Sequence, residues 1–129
     1  MNIIEELIKS GSEKLKRSGI NSFLKDSRIL MGYIIDNDIE RINFYNVKSI
    51  STYKRKKYFN LIERRCSNEP ISRIIRKKYF WKYLLYISKD VFDPRPETEL
   101  LVSKVADFCD EKTKILDIGT GSGCIAISL

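Results

Sequence analysis

Histidine is absent from this sequence of 129 residues, and cysteine occurs only three times, at Cys66, Cys109 and Cys124. The cysteines lie far apart and form no Cys-x-x-Cys pair, which excludes the usual zinc spacings and a disulfide framework. Without histidine, a Ser-His-Asp or Cys-His catalytic arrangement is excluded as well. We therefore expect reduced thiols, no bound metal, and chemistry that depends on other side chains.

Long apolar runs are also missing. The longest stretches, such as Leu84–Ile87, fall far short of the roughly 18 residues that cross a bilayer. The N-terminus carries Glu5 and Glu6 where a secretory signal carries basic residues, and no small-residue cleavage site follows. With 43% hydrophobic and 32% charged residues, the composition is typical of a folded domain. These features predict a cytoplasmic globular protein without membrane contact.

Acidic residues are scarce in one long stretch. Between Lys48 and Lys82 there are 12 basic residues but only two acids, Glu63 and Glu69. The net charge of this stretch is +10, whereas that of the whole chain is +7, so the remaining residues carry −3. Such a patch is able to hold RNA, the ribosome, or a protein partner that is bound to RNA, through phosphate contacts. The alternative is a lysine-rich solvated helix face, because the aromatic residues here fall at helical core spacing.

Residues 1–78 are patterned as short amphipathic helices. Gly19 is placed to end the first helix, and Asn21 or Ser22 is placed to cap the second. Asn37–Asp38 ends the second helix, a third runs from about residue 49 to 66, and Pro70 starts a fourth. The apolar positions expected to face a helical core are Ile3, Ile4, Leu7, Ile8, Leu15, Phe23, Leu24, Ile29, Leu30, Tyr33, Ile34, Ile50, Tyr53, Tyr58, Leu61 and Ile62.

The pattern changes after residue 78. Residues 79–87 are aromatic and β-prone, and favour a hairpin with its turn near Lys82–Tyr83, within a linker over 79–93. Two prolines, Pro94 and Pro96, then force an extended connection. They precede a helix whose expected buried face is Leu101, Val102, Val105, Ala106 and Cys109.

The last part of the sequence, Lys114–Leu129, reads as a buried strand, a glycine-rich turn and an apolar helix. Strand, turn and helix in this order form the mouth of a nucleotide-like cofactor site, where backbone approaches ligand closely. A P-loop needs lysine after the last glycine, and a dinucleotide fingerprint needs glycine at Cys124; neither is present. Asp117, two residues before the first glycine, disfavours bound phosphate because like charges repel. It favours a ligand with a positive or donor-rich group, such as the amino-acid end of S-adenosylmethionine.

Four segments, in order, resemble the HemK/PrmC family of protein-(glutamine-N5) methyltransferases. They are Arg64-Arg65 followed by Glu69-Pro70, then Phe80-Trp81, then Pro94-Arg-Pro-Glu-Thr-Glu-Leu-Leu-Val102, then Ile115-Leu-Asp-Ile-Gly-Thr-Gly-Ser-Gly123. The Pro-Arg-Pro-Glu-Thr-Glu block is far more specific than the glycine turn.

The resemblance implies an α/β enzyme with a helical substrate-recognition domain (1–78), a β-hairpin linker (79–93) and the start of a Rossmann-like class I methyltransferase domain (94–129). Such enzymes transfer a methyl group from S-adenosylmethionine to the glutamine amide of the Gly-Gly-Gln loop in peptide chain release factors. The implied cofactor-binding residues are Asp117, Gly119, Thr120, Gly121, Ser122 and Gly123, with an adjacent wall of Glu97, Thr98 and Glu99.

The family's Asn-Pro-Pro-Tyr motif, which grips the amide, does not occur in this sequence. Residues 94–129 are fewer than the roughly 40 at which unaided folding becomes rare, and the strand before the turn would lack its neighbours. We therefore expect a fragment, or the product of a split gene, that is inactive alone. Two positions depart from the family pattern: Arg76 replaces a usual glycine, and Asp93 a usual apolar residue. Two other functions stay open, a related N6-adenine or RNA methyltransferase and a non-catalytic binding module for a release factor or ribosome.

Overall fold

A computed structural model describes residues 2–35 and 49–129 of the chain. It divides into two compact units, Met1–Ile75 and Arg76–Leu129. The predicted end of the second helix at Asn37–Asp38 lies outside the described residues. The described elements, in chain order, are α1 (Ile3–Arg17), α2 (Phe23–Ile35), α3 (Thr52–Cys66), α4 (Ile71–Ile75), β1 (Lys77–Phe80), β2 (Tyr83–Tyr86), α5 (Thr98–Ala106) and α6 (Cys124–Ser128).

Helix α1 is closed at both ends by its own sequence. At its start, the Asn2 side chain accepts a hydrogen bond from the Ile4 amide, while the Glu5 carboxylate accepts one from the Asn2 amide. This reciprocal capping box satisfies two N–H groups that a helix leaves without partners. At its end, Gly19 has φ = +80°, and the amide of Ile20 donates to the Leu15 carbonyl at 3.1 Å. This Schellman arrangement confirms the predicted role of Gly19.

The first unit has a core between α1, α2, α3 and α4. Most predicted core positions are buried, and the fully buried residues of this core include Ile4, Leu15, Leu30, Met31, Tyr58 and Ile62. Three predictions were wrong, because Ile3, Leu24 and Tyr53 are 39%, 47% and 73% exposed. Each lies at the edge of the apolar stripe of its helix, where the side chain no longer faces the neighbouring helices. Met31 was not among the predicted core positions, yet it is fully buried.

A polar cluster lies inside this core. The Ser27 hydroxyl donates to the Ile8 carbonyl at 2.7 Å and lies 2.7 Å from the Tyr58 hydroxyl. These contacts join α1, α2 and α3 at one point. Burial raises the pKa of Tyr58 to about 12, although the hydrogen bond with Ser27 acts in the opposite direction. The hydroxyl of Tyr58 is therefore neutral and partnered, as a buried polar group must be.

The second unit contains the predicted hairpin. Strands β1 and β2 are antiparallel, with Lys77 opposite Tyr86 and Phe80 opposite Tyr83. The loop is Trp81–Lys82, one residue earlier than predicted. Trp81 has φ = +55°, which a two-residue hairpin loop requires at its first position and which favours glycine.

A small core holds this unit together. Phe80, Leu85 and Ile87 from the hairpin region pack with Val102 of α5 and Cys124 of α6. Of the predicted buried face, Val102 is buried and Val105 and Cys109 are half-buried, whereas the prediction was wrong for Leu101, which is 51% exposed, and for Ala106, which is also exposed. Within residues 76–129, no further layer covers that helix.

The strand predicted before the glycine turn is not formed. Residues Lys114–Asp117 pair with no other strand in the described part of the chain, and Leu116 and Ile118 are 83% and 87% exposed. A strand is stable only when its backbone groups find partners and its apolar face is covered. The apolar sequence of this segment therefore has no sheet to join among residues 76–129.

Candidate functional site

The glycine turn is the candidate cofactor site. Gly119, Gly121 and Gly123 have φ values of +76°, +57° and +74°, in the left-handed region that side chains disfavour. A Cβ atom on Gly119 would meet nothing within 4 Å, so the backbone shape, not crowding, requires glycine there. The alternation of glycines thus encodes a backbone that L-residues adopt only at a cost.

Asp117 is fixed beside this turn. The Thr120 hydroxyl donates to the Asp117 carboxylate at 2.9 Å, and Asp117 itself is half-buried. The turn closes where the Gly123 amide donates to the Thr120 carbonyl at 2.9 Å. Helix α6 then begins, with the Ile127 amide donating to the Gly123 carbonyl at 2.8 Å.

The turn presents donors and an acceptor together. The amides of residues 119–122 donate to no acceptor in the described part of the chain, and residues 119–121 are exposed. Successive free amides of this kind bind a carboxylate, while the Asp117 carboxylate suits an ammonium group. A zwitterionic amino-acid end therefore matches the turn better than a phosphate does.

The Pro-Arg-Pro-Glu-Thr-Glu block contacts the hairpin through its last residue. Glu99 accepts a hydrogen bond from the Trp81 amide at 2.8 Å, so its carboxylate stabilises the strained hairpin loop. Glu97 is exposed at the start of α5 and makes no side-chain cap bond, and Thr98 is the first residue of the helix. Across residues 76–129, no hydrogen bond joins Glu97, Thr98 or Glu99 to the glycine turn. These three residues thus form a helix start that also contacts the hairpin, and their role as a wall of the cofactor site stays a prediction.

The two positions that depart from the family pattern are both structurally informative. Arg76 has φ = +56°, so the chain adopts a glycine-like backbone with an arginine. Asp93 accepts a hydrogen bond from the Lys78 ammonium at 2.9 Å, which neutralises its charge. Its other carboxylate oxygen is buried without a partner among the described residues. No local pattern predicted the pairing of Lys78 with Asp93, which are 15 positions apart.

The basic stretch is partly neutralised. Arg65 donates to Asp26 at 2.8 Å, Arg64 to Glu69 at 2.7 Å, and Lys14 pairs with Glu63. The bond from Arg64 holds the pKa of Glu69 below its usual value. Both acids of the stretch are thereby engaged.

Within residues 2–35 and 49–129, no three acidic, cysteine or histidine side chains gather to hold a metal ion. The described helices include none that is long and apolar enough to span a membrane. All three cysteines are free thiols, as expected.

A helical core, a hairpin and a glycine turn beside an acid follow one another along the chain. The sequence profile of the PrmC N-terminal domain family matches residues 6–75. The chain belongs to this family.

Curated relatives extend the similarity over nearly the whole chain. A bifunctional methyltransferase of Rickettsia felis is 34% identical, aligned to 98% of this chain and 29% of its own length. The release factor glutamine methyltransferases of Rhodospirillum rubrum and Haemophilus influenzae are each 32% identical, aligned to 98% and 100% of this chain and 39% and 47% of their own lengths. The chain thus spans less than half the length of these relatives.

Proposed function

We propose that this chain is the N-terminal part of a release factor glutamine methyltransferase. The proposal is supported mainly by the match of residues 6–75 to the family, together with 32–34% identity to named methyltransferases along 98–100% of the chain. The proposed reaction moves a methyl group to the amide nitrogen of the Gln in a release factor's Gly-Gly-Gln loop. The proposed partner is therefore a peptide chain release factor.

Each segment has a proposed role. The helical domain (Met1–Ile75) recognises the release factor, the hairpin (77–86) and the segment after it link that domain to the catalytic part, and residues 94–129 begin a Rossmann-like cofactor domain. Lys78–Asp93 and Trp81–Glu99 support this assignment of a linker, because both contacts tie the hairpin to the segment after it. We expect these contacts to hold the linker in one conformation.

The glycine turn is the proposed site for S-adenosylmethionine. The amides of residues 119–122 would receive the carboxylate of its methionine end, and Asp117 would receive the ammonium group. The cofactor supplies an electrophilic methyl group. The residues of this chain bind the cofactor and orient its methyl group. The Asn-Pro-Pro-Tyr motif, which grips the substrate amide, does not occur in this sequence.

A chimeric enzyme tests the proposal. This chain would replace the matching 39% of the Rhodospirillum rubrum relative, leaving that enzyme's remaining residues unchanged. We expect labelled methyl transfer to a release factor, and none to the same factor with its loop glutamine replaced by alanine. Transfer is also expected to be absent when the 129 residues are assayed alone.

Two outcomes would contradict the proposal. A folded chimera that binds S-adenosylmethionine but leaves the release factor unmethylated would exclude this substrate. Label appearing on adenine in RNA or DNA instead would favour the related N6-adenine methyltransferase.

A non-catalytic binding module is a second candidate, favoured by one observation. The first unit has its own core of buried residues, whereas the segment before the glycine turn has no sheet to join. Binding of a release factor by the 129 residues, without any transfer by the chimera, would support this candidate.

A further inference from the structure

Helix α3 presents a basic and aromatic stripe beside its core contacts. We call it the α3 stripe, and it consists of Tyr53, Lys56, Lys57 and Asn60. Residues spaced by three, four and seven positions share one side of a helix. All four are exposed, and Tyr53 is 73% exposed. The buried positions Tyr58, Leu61 and Ile62 lie on the adjoining side, with Leu61 one turn from Lys57.

The charge of the stripe is not neutralised within the described residues. The nearest acid in sequence, Glu63, is paired with Lys14, and Lys56 has no ion-pair partner in residues 2–35 and 49–129. The Lys57 ammonium lies 5.9 Å from the centroid of the Tyr33 ring, an aromatic contact that leaves its positive charge intact. Arg55, beside the stripe, is likewise exposed without an ion pair there.

Tyr53 adds an aromatic ring to the two lysines of the stripe. Its exposure alone is not distinctive, since Tyr86, Phe92 and Phe108 are more exposed, but its place one turn from both lysines on the same side of a helix is. An exposed ring one helical turn from two lysines matches the surfaces that stack bases and contact phosphates. Protein interfaces, in contrast, are depleted in lysine.

We propose that the α3 stripe binds single-stranded nucleic acid. Lys56 and Lys57 contact backbone phosphates, the Tyr53 ring stacks on an unpaired base, and the Asn60 amide hydrogen-bonds to a base edge or sugar. This inference goes beyond the proposed methyl transfer and does not depend on it. The two lysines without ion pairs favour a nucleic acid over a protein, and the test below distinguishes RNA from DNA.

Fluorescence anisotropy with labelled oligouridine tests the proposal on the whole chain. An oligonucleotide of about 16 nucleotides covers the usual footprint of a single-strand-binding domain. Affinity would be measured from about 50 to 200 mM salt, since each phosphate contact contributes about 0.7 to the slope of log K against log salt. The double variant K56Q/K57Q is expected to lower that slope by roughly 1.4, which is two contacts.

A matched control separates the stripe from the general positive charge of the chain. K9Q/K25Q removes two equally exposed lysines from α1 and α2, and is expected to leave the slope nearly unchanged. Y53A is expected to weaken binding roughly tenfold, while Y53F retains it because phenylalanine also stacks. All of these side chains are exposed, so the variants should fold, which circular dichroism confirms before binding is measured.

Three results would overturn the proposal. They are absence of binding at the lowest salt, equal losses in K56Q/K57Q and K9Q/K25Q, and equal affinities of Y53A and Y53F. Unchanged RNA binding by K56Q/K57Q together with lost binding to a release factor would assign the stripe to a protein partner. Tighter binding to oligothymidine than to oligouridine would assign it to DNA.

Discussion

Gly11 of α1 faces the hydroxyl group of Tyr58 of α3. A Cβ atom added at Gly11 would stand 2.2 Å from that hydroxyl oxygen and 2.9 Å from the ring carbon that carries it. Tyr58 has no free space to retreat into, because it is fully buried and its hydroxyl lies 2.7 Å from Ser27. The two helices therefore approach each other through a position that admits only glycine.

The first prediction concerns this contact. Replacing a helical glycine by alanine normally stabilises a helix by about 1 kcal/mol. Gly11→Ala is instead expected to destabilise the first unit by about 1–3 kcal/mol, because the methyl group overpacks the core. Urea unfolding followed by circular dichroism measures the difference. Ser10→Ala, at the exposed neighbouring position, should be neutral or slightly stabilising. A gain in stability for both variants would show that the helices separate easily.

The second prediction concerns the pH dependence of stability. The folded pKa of Tyr58 is about 12, while the unfolded value is about 10. The unfolded state therefore loses this proton first as pH rises, and unfolding becomes easier. Stability from this group is fully present below pH 10 and is lost between about 10 and 12, by up to about 2–3 kcal/mol.

Tyr58→Phe is the control for that loss, because phenylalanine has no proton to release. Urea unfolding at several pH values should show a shallower decline for Tyr58→Phe than for the unmodified chain. Parallel declines would mean that other groups, such as the lysines, account for the whole effect.

The third prediction concerns Arg76, whose backbone has φ = +56°. A non-glycine residue in this region costs about 1–2 kcal/mol of strain in the folded state. Glycine removes that strain, but its greater freedom in the unfolded chain offsets part of the gain. Arg76→Gly is thus expected to stabilise the second unit by roughly 0.5–1 kcal/mol. Arg76→Ala keeps the Cβ atom and should bring no gain. The fluorescence of Trp81, the single tryptophan of the sequence, reports on this unit during thermal unfolding.

The fourth prediction concerns Glu99, which accepts the Trp81 amide at 2.8 Å. Glu99→Ala is expected to destabilise the hairpin by about 1.5–3 kcal/mol, the usual range for a hydrogen bond to a charged group. It should also shift the emission of Trp81, since the loop is released from its acceptor. Glu97→Ala is the matched control, because Glu97 is exposed and makes no cap bond. Equal effects of the two variants would contradict a specific role for Glu99.

The fifth prediction concerns the proposed cofactor site. In the active chimera described above, Asp117→Asn is expected to raise the Kd for S-adenosylmethionine roughly tenfold, as expected for about 1.4 kcal/mol of lost interaction. Isothermal titration measures this change. Asp110→Asn removes an acid from the same segment, at an exposed position where hydrogen bonds from Thr113 and Lys112 hold its pKa down. Its affinity should be unchanged, and a similar loss would indicate a diffuse charge effect.

Much of the first unit was predictable from local signals. The apolar spacing of α1 and α3, the glycine that ends α1 and the serine that caps α3 are each encoded within a few neighbouring residues. The exposure of individual side chains was not predictable in the same way. Tyr53 and Tyr58 lie in one helix and have the same chemistry, yet one is 73% exposed and the other fully buried. Which of them meets α1 and α2 depends on how the helices dock.

The candidate site shows the same division. The alternating glycines at 119, 121 and 123 predicted a turn that side chains disfavour, and their positive φ values agree. The pairings of Asp93 with Lys78 and of Glu99 with the Trp81 amide were not predictable, since they join residues 15 and 18 positions apart. Such contacts depend on where the hairpin places its loop and strands.

The sequence by itself determined the helical segments, the hairpin and the backbone of the glycine turn, because periodicity, caps and glycine conformations are local properties of the chain. Only the tertiary structure decided that Tyr58 and Gly11 meet and that Glu99 supports the hairpin loop. It also decided that Lys114–Asp117 stays unpaired, although its residues read as a strand. The physical reason is that burial and strand pairing depend on neighbours distant in sequence, and no local pattern specifies whether those neighbours are in place.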